Sequence, residues 1–411
     1  MFWAKLFFPF AGAYFLSYHF RTANAVIGPI LSEELTLGAA DLGLLTSAYF
    51  IAFGAAQLPL GLLLDRFGAR RVESALLLLA AAGAAVFASG HTIGTLTVGR
   101  GMIGVGVSAC LMASFKSFSL WFPKEKQASL TGWIMTAGTL GALAASAPLD
   151  AALHVASWRG IFFALSAVTV MMSAWLFFGV PDEPGTVHPE RMSVQLAGIR
   201  QVLGNRHFWR YAPLGFAQVG GFMAVQSLWS SAWMIHVNGF TRSEAADHLA
   251  AMSMAMMLAY ALIGLLSTRL ARRGIGTIYL LGGGMAMSLV TLFLIISQTV
   301  EQHYLLWIAY GTFSSFGTLV YTQMSAGFPL TLSGRANTTL NLLVFLGAFS
   351  LQWGMGVLIE VLQASGHSTQ LAHRDAFAVL FILQAAAYVW LLIGGGHRVR
   401  GTANHGQQAP K

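Results

Sequence analysis

The stretch Gly61-Leu-Leu-Leu-Asp65-Arg66-Phe-Gly68-Ala-Arg70-Arg71 sets one acid, three arginines and two glycines between the apolar runs Leu42–Leu64 and Ser74–Ser89. Shifting the chain by 203 residues lays this stretch on Gly264-Leu-Leu-Ser-Thr268-Arg269-Leu-Ala-Arg-Arg273-Gly274. The same shift sets Asp41 on Glu244 and Tyr49 on Met252, and a shift of 206 lays Phe122-Pro123 on Phe328-Pro329. A repeat of about half the chain marks a duplicated structural unit. Two parallel repeats of apolar helices are a transporter architecture, with the substrate site near the midplane between them.

The surrounding composition agrees. Of 411 residues, 56% are apolar and only 9% charged, and the mean hydropathy is +0.66. A soluble domain carries roughly a quarter charged residues, so the chain reads as an all-α polytopic membrane protein. Twelve apolar runs have the length of a span: Leu6–Leu31, Leu42–Leu64, Ser74–Ser89, Ile93–Leu120, Gln127–Pro148, Gly160–Val180, Tyr211–His236, Ala245–Ser267, Ile275–Ser297, Tyr304–Pro329, Thr338–Ile359 and Ala376–Gly396. The first run has the length of a retained span, and no small-residue cleavage site follows it. The expected division is residues 1–180 as an N-terminal six-helix half, 181–210 as a linker, 211–396 as a C-terminal half and 397–411 as a tail.

Placing the N-terminus in the cytoplasm puts 17 of the 23 basic residues in inner segments, while the outer loops hold only Arg159, Arg242 and Arg374. That asymmetry is the positive-inside pattern, so both termini and the linker are expected in the cytoplasm of a cell with an inner membrane. The net charge of +8 is thus a topology signal. It forms no basic face or tail of the kind nucleic acid requires. Cys110 is the single cysteine, so no internal disulfide forms.

The G-x-x-x-D-R-x-G-x-R-R string resembles the loop motif between the second and third helices of the major facilitator superfamily, and the resemblance covers nearly the whole chain. It implies twelve helices in two pseudo-symmetric halves that rock around a central site. Arg100 with Gly101, Gly104 and Gly106 resembles the family's fourth-helix motif. Gly132, Gly138, Gly141 and Pro148 resemble the antiporter motif only in part, because its central Gly-Pro pair is missing. Asp65, Arg66 and Arg70 are expected to gate the inner side by pairing in one conformation only; a purely topological role for the arginines is the alternative.

Ionisable groups inside a bilayer are costly and mark function. Three cations, Arg21, Arg100 and Lys116, fall within spans. At 100° per residue Tyr14, Tyr18 and Arg21 share one face, and Tyr18-His-Phe-Arg21 resembles the Y-x-x-R of the organophosphate:phosphate antiporters and anion:cation symporters, where the arginine binds the anion. A structural arginine bonded to backbone carbonyls is the other reading. Arg100 and Lys116 project about 160° apart in a straight helix. Arg100 is expected to have a structural or coupling role and Lys116 to lie at the inner mouth or to snorkel.

Further lining candidates are Gln226, Trp229 and Trp233, on one seventh-helix face with Gln218, Phe222 and His236, then Tyr310 and Tyr321 in the tenth helix and Asn341 and Gln352 in the eleventh. Each stripe is equally readable as helix packing. The phosphate antiporters carry a second arginine in the seventh helix, where this chain has Gln226. All 15 acidic residues fall in loops or near span ends in the linear reading, so the cavity is expected to favour an anion. His19, His236 or His248 are the expected titrating groups if protons couple, with Asp150 and Glu360 as alternatives.

A rival reading comes from His248, Met252 and Met256, at i, i+4 and i+8. Imidazole and thioethers suit a soft metal such as Cu(I), and the spacing resembles that of a copper-importing branch of the same superfamily. Methionine as packing filler is the other possibility. The chain has no P-loop, zinc-ligand or Gly-x-Ser-x-Gly pattern, so it reads as neither an ATP-driven pump nor an enzyme, and no cofactor is expected. The reading is a monomeric secondary transporter for a small organic anion, with a proton or counter-anion open as coupling partner. A non-transporting membrane sensor would have the same sequence signature.

Overall fold

Lipid offers no partner to backbone N–H and C=O groups, so apolar runs of this length must satisfy them internally, as helices. A computed structural model describes residues 2–122, 124–181, 192–273 and 275–394. Among these the chain forms twelve rods. The first six are α1 (Phe2–Thr22) with α2 (Asn24–Leu35); α3 (Ala39–Phe67); α4 (Ala69–Ser89); α5 (Ile93–Gly106) with α6 (Cys110–Trp121); α7 (Lys124–Ala144) with α8 (Ala147–Leu153); and α9 (Trp158–Gly179). A short helix, α10 (Met192–Leu203), lies in the stretch expected to be a plain linker and packs against the later helix α18 (Leu330–Ala364).

The second six begin with α11 (Arg206–Leu214), α12 (Gly221–Ala224) and α13 (Ser230–His236), joined into one rod by π-helical turns at Gly215–Gly220 and Val225–Trp229. Then come α14 (Arg242–Arg272), α15 (Thr277–Ser297), α16 (His303–Ser314) joined through a 3₁₀ turn to α17 (Leu319–Ala326), α18 (Leu330–Ala364) and α19 (Thr369–Ile393). Among the described residues nine rods are long and apolar enough to cross a membrane by length and composition. The first, seventh and tenth are those interrupted by a kink at Ala23, by π turns and by the 3₁₀ turn.

The Gly68 of the opening motif has a structural reason. It ends α3 and starts α4 with φ 79° and ψ 158°, a conformation essentially closed to residues with a Cβ. The turn reverses the chain in a single residue.

The two six-rod groups meet mainly along α3 and α18, which touch through small residues. A Cβ on Gly43 would lie 3.0 Å from the Gln352 carbonyl oxygen, and one on Gly356 would collide with Ala39. This contact runs from the Ala39 end of α3 to Gly54, where Phe345 packs. Beyond it the rods part: Gly61 on α3 and Gly334 on α18 have nothing against them. The result is a cleft of about 710 Å³ lined by Gln57, Leu60, Gly61, Leu64, Met112, Phe115, Lys116, Thr131 and Thr338. The opposite end is fastened across the groups. There the Asp150 carboxylate accepts from Arg242 Nε at 2.7 Å and from the Ser243 hydroxyl, and Glu360 Oε1 accepts from the Ala40 N–H at 2.9 Å.

Candidate functional site

Arg21 sits in the last turn of α1, half-way along the first rod, and is only 9% exposed. Its guanidinium lies 4.3 Å from the Tyr18 ring centre and 5.8 Å from each of Phe53 and Phe345, one from either group of rods. Among the described residues no carboxylate pairs with it, and Nε is buried without a partner. The groups acting on it electrostatically are the phenols of Tyr49, Tyr18 and Tyr14. Tyr14 and Tyr18 meet edge to face at 5.0 Å. A Cβ on Gly138 of α7 would press on both rings, and one on Gly141 would collide with Phe15. The fifth-span glycines thus let α7 lie close against α1.

The second group of rods completes the ring. Tyr321 donates to Asn341 Oδ1 at 2.7 Å and interacts electrostatically with Tyr18 and Arg21. Tyr260 on α14 acts on the same two groups and shares a hydrogen bond with Ser315. One cation from the first half thus lies within electrostatic reach of the phenols of Tyr14, Tyr18, Tyr49 and, from the second half, Tyr260 and Tyr321, the last bonded to the Asn341 amide. Below it Phe53 and Phe345 stack with centroids 4.2 Å apart. Gln57, one turn further along α3, already lines the cleft.

Of the residues expected at the site, Arg21, Tyr14, Tyr18, Tyr321 and Asn341 come together. The seventh-helix face does not survive as a face. Two π turns in that rod add residues to the helical period and rotate the stripe apart. Gln218 donates to the Met285 carbonyl, Gln226 to Met256 Sδ at 3.2 Å, Trp229 to the Gln352 carbonyl at 3.0 Å, and Trp233 packs on Phe377. The 3₁₀ turn divides the tenth-helix stripe in the same way: Tyr310 packs on Phe222 and Trp307, away from Tyr321. Gln352 accepts from Ser227 at 3.0 Å. Gln226, Trp229, Trp233, Tyr310 and Gln352 thus make these contacts inside the second group of rods.

Arg100 is fully buried, donates to the Phe20 carbonyl at 2.8 Å and lies over the Tyr49 ring, bracing the turn that carries Arg21. The straight-helix angle between Arg100 and Lys116 does not apply, because the rod breaks at Val107–Ala109, between α5 and α6. Lys116 lines the cleft and donates to the Leu64 carbonyl at 2.6 Å. Arg70 donates to the Val180 carbonyl, within the first group, and Arg66 lies over Phe67. The Asp65 side chain lies outside the described residues. His236 packs on His373 at 4.9 Å. His248 is set between Phe240 and Tyr304, whereas Met252 and Met256 pack on Gly311. The three residues of the soft-metal reading therefore make packing contacts with different neighbours.

Sequence reasoning missed Tyr49, Tyr260, Phe53, Phe345 and Glu73. Tyr260 continues the stripe of Met252 and Met256 by one turn, and Phe345 lies one turn after Asn341, so those two had a signal. Glu73, placed with the span-end acids, is 0% exposed, and its carboxyl faces the thiol of Cys110.

The Major Facilitator Superfamily model matches residues 10–351. The chain belongs to the major facilitator superfamily. The hexuronate transporter of Escherichia coli K12 is 26% identical over 247 residues, 56% of this chain and 57% of that protein. The probable sulfoacetate transporter of Cupriavidus necator is 24% identical over 282 residues, 63% of this chain and 64% of that one. The galacturonate transporter of Dickeya chrysanthemi is 26% identical, over 56% and 71%. The matches thus span about three fifths of the first two relatives. Among solved structures, a D-xylose-proton symporter superposes with TM-score 0.76 at 15% identity, covering 96% of this chain and 98% of that one. A bacterial homolog of the human lysosomal transporter Spinster, in an inward-facing and occupied conformation, gives 0.72 at 16% identity, covering 96% and 97%. The superfamily member is thus an integral membrane protein of a family of transporters, not of enzymes.

Proposed function

We propose that this superfamily member is a secondary transporter for a small organic monoanion, moved by alternating access around Arg21. The observation that carries the reading is the Arg21 guanidinium, buried between the halves with aromatic walls and, among the described residues, no carboxylate partner. A planar fork of donors matches a carboxylate or sulfonate bidentately. A low-dielectric site holding one net positive charge favours one negative charge on the ligand. Tyr14, Tyr18, Tyr260, Tyr321 and Asn341 offer the hydrogen bonds that hydroxyl groups on such an anion would use. The relatives named for hexuronate, galacturonate and sulfoacetate support the same class.

Under the positive-inside reading, the cleft at Gln57 and Lys116 faces the cytoplasm of an inner-membrane protein whose two termini lie on the same side. The Asp150–Arg242 and Glu360–Ala40 contacts close the outer side, and the Phe53–Phe345 stack is the remaining thin barrier below the site. Arg100 positions Arg21 through the Phe20 carbonyl, and Asp65, Arg66 and Arg70 belong to the inner-side gate. Purified protein in liposomes preloaded with galacturonate should take up labelled galacturonate by counterflow, and Arg21→Gln should abolish it. Equal counterflow by Arg21→Gln would sink the reading, and ligand-induced thermal stabilisation without any flux would make the protein a sensor.

A further inference from the structure

The buried carboxyl of Glu73 has no part in the anion site. It stands fully buried in the second turn of α4, a helix packed against α3, α5, α6 and α9. Among the described residues the one titratable group acting on it is the thiol of Cys110 at the start of α6, which is also its hydrogen-bond partner. Of the cations on the helices packed around it, Arg100 of α5 is engaged on Phe20 and Tyr49, Lys116 of α6 on the Leu64 carbonyl, and Arg70 of α4 on Val180 and Phe177. Ser173 of α9 donates to the Ser74 carbonyl. An ionised carboxylate enclosed without a cation, with only a weak thiol donor beside it, costs several kcal/mol, so the form that this pocket favours is the acid. A membrane-embedded carboxyl that carries a proton and pairs with no cation is a proton site by its chemistry.

The geometry ties this pocket to the cleft through one element. Cys110 opens α6 just after the break at Val107–Ala109, and its thiol also feels Arg21. Inside the break, the Ser108 carbonyl accepts from Gln57 Nε2 at 3.1 Å, and Gln57 lines the cleft. A helix interruption is where a rod changes shape at low cost. We propose that Glu73 is the proton-coupling residue: its carboxyl O–H bond breaks as the break at Val107–Ala109 rearranges, the proton passes to water in the cleft, and one proton moves with each anion. The coupling group thus stands apart from the substrate cation, on α4. The proposal rests on the transporter reading for its flux assay but not for its protonation.

Wild type and Glu73→Gln should be compared in liposomes by galacturonate counterflow and by accumulation under a pH gradient, with protein-free liposomes as blank. One pH unit supports about tenfold accumulation for one coupled proton. Wild type should approach that ratio, and Glu73→Gln should fall to equilibration while keeping counterflow. Accumulation by Glu73→Gln equal to wild type overturns the proposal, as does loss of counterflow and accumulation together in folded protein. A second readout needs no substrate. The infrared difference between wild type and Glu73→Gln at neutral pH should contain one protonated-carboxyl carbonyl band, and its absence overturns the proposal. Wild type that shows this band but no counterflow leaves the proton site standing and removes the monoanion reading instead.

Discussion

Phe53 and Phe345 stack across the two halves with ring centroids 4.2 Å apart and an interplanar angle of 23°, directly against the Arg21 guanidinium. The pair lies between the charge and the cleft that begins one turn further along α3 at Gln57. Offset aromatic pairs contribute about 0.5–1.5 kcal/mol beyond their area, which suits a barrier that must open in each cycle. Phe345→Ala should speed galacturonate counterflow, because the step it removes is gate opening. It should also lower the thermal midpoint, since Phe→Ala in a packed core costs about 3–5 kcal/mol. Phe345→Leu should keep most of the stability. Unchanged exchange in both variants would make the stack packing and not a gate.

Arg21 and the Tyr321–Asn341 pair should divide binding between charge and orientation. Arg21→Lys keeps the charge but loses the fork, and truncating one partner of a buried charged contact costs about 2–5 kcal/mol. Its affinity for galacturonate should therefore fall by more than an order of magnitude in a thermal-shift titration. Tyr321→Phe removes one neutral hydrogen bond, worth about 1 kcal/mol, and should weaken the same ligand several-fold. A smaller loss for the lysine variant than for Tyr321→Phe would reverse the ranking of charge over hydroxyl recognition.

The Asp150–Arg242 contact, with the Ser243 hydroxyl on the second carboxylate oxygen, holds α8 to α14 at the end opposite the cleft. Arg242 remains 30% exposed, so the bond is worth about 1 kcal/mol or less. That is still a several-fold shift in a two-state equilibrium. Asp150→Asn should move the population toward the conformation with this end open. Spin labels at Thr131 and Thr338, on facing walls of the cleft, should report a larger fraction of short distances than in wild type. An unchanged distance distribution would mean that the α3–α18 contact alone sets the balance.

What was legible followed from the physical strength of each signal. Twelve rods were readable because lipid forces every long apolar run into a helix, and the Gly68 turn because a charged motif interrupts the pattern. Arg21, Tyr14 and Tyr18 were readable because α1 is regular around them. The second half of the site was not, since projection at 100° per residue fails where π turns at Gly215–Gly220 and Val225–Trp229 or the turn at Ser315–Thr318 change the period. Phe53 and Phe345 carry no signal in apolar helices. Glu73 was misread as a span-end acid because the depth of α4 among α3, α5, α6 and α9 is a property of packing.

A last prediction concerns pH at the closed end, where Glu34 follows the first span. Its carboxylate accepts from the Trp158 indole at 2.7 Å and from Arg159. The Trp158 bond, with the Arg159 bond and charge added, outweighs desolvation and holds this carboxyl below the ordinary glutamate value. A group lowered on folding stabilises the fold above its unfolded value of about 4.3 and stops doing so as pH falls through the folded value. The side chain is 38% exposed, so solvent screening keeps the contribution to about 1 kcal/mol or less. Glu34→Gln should thus have a slightly lower thermal midpoint than wild type at pH 7, and the two should converge as pH falls below about 4. Convergence from the opposite side, with wild type the less stable at pH 7, would show that enclosing the carboxylate beside Trp158 costs more than its two donors return.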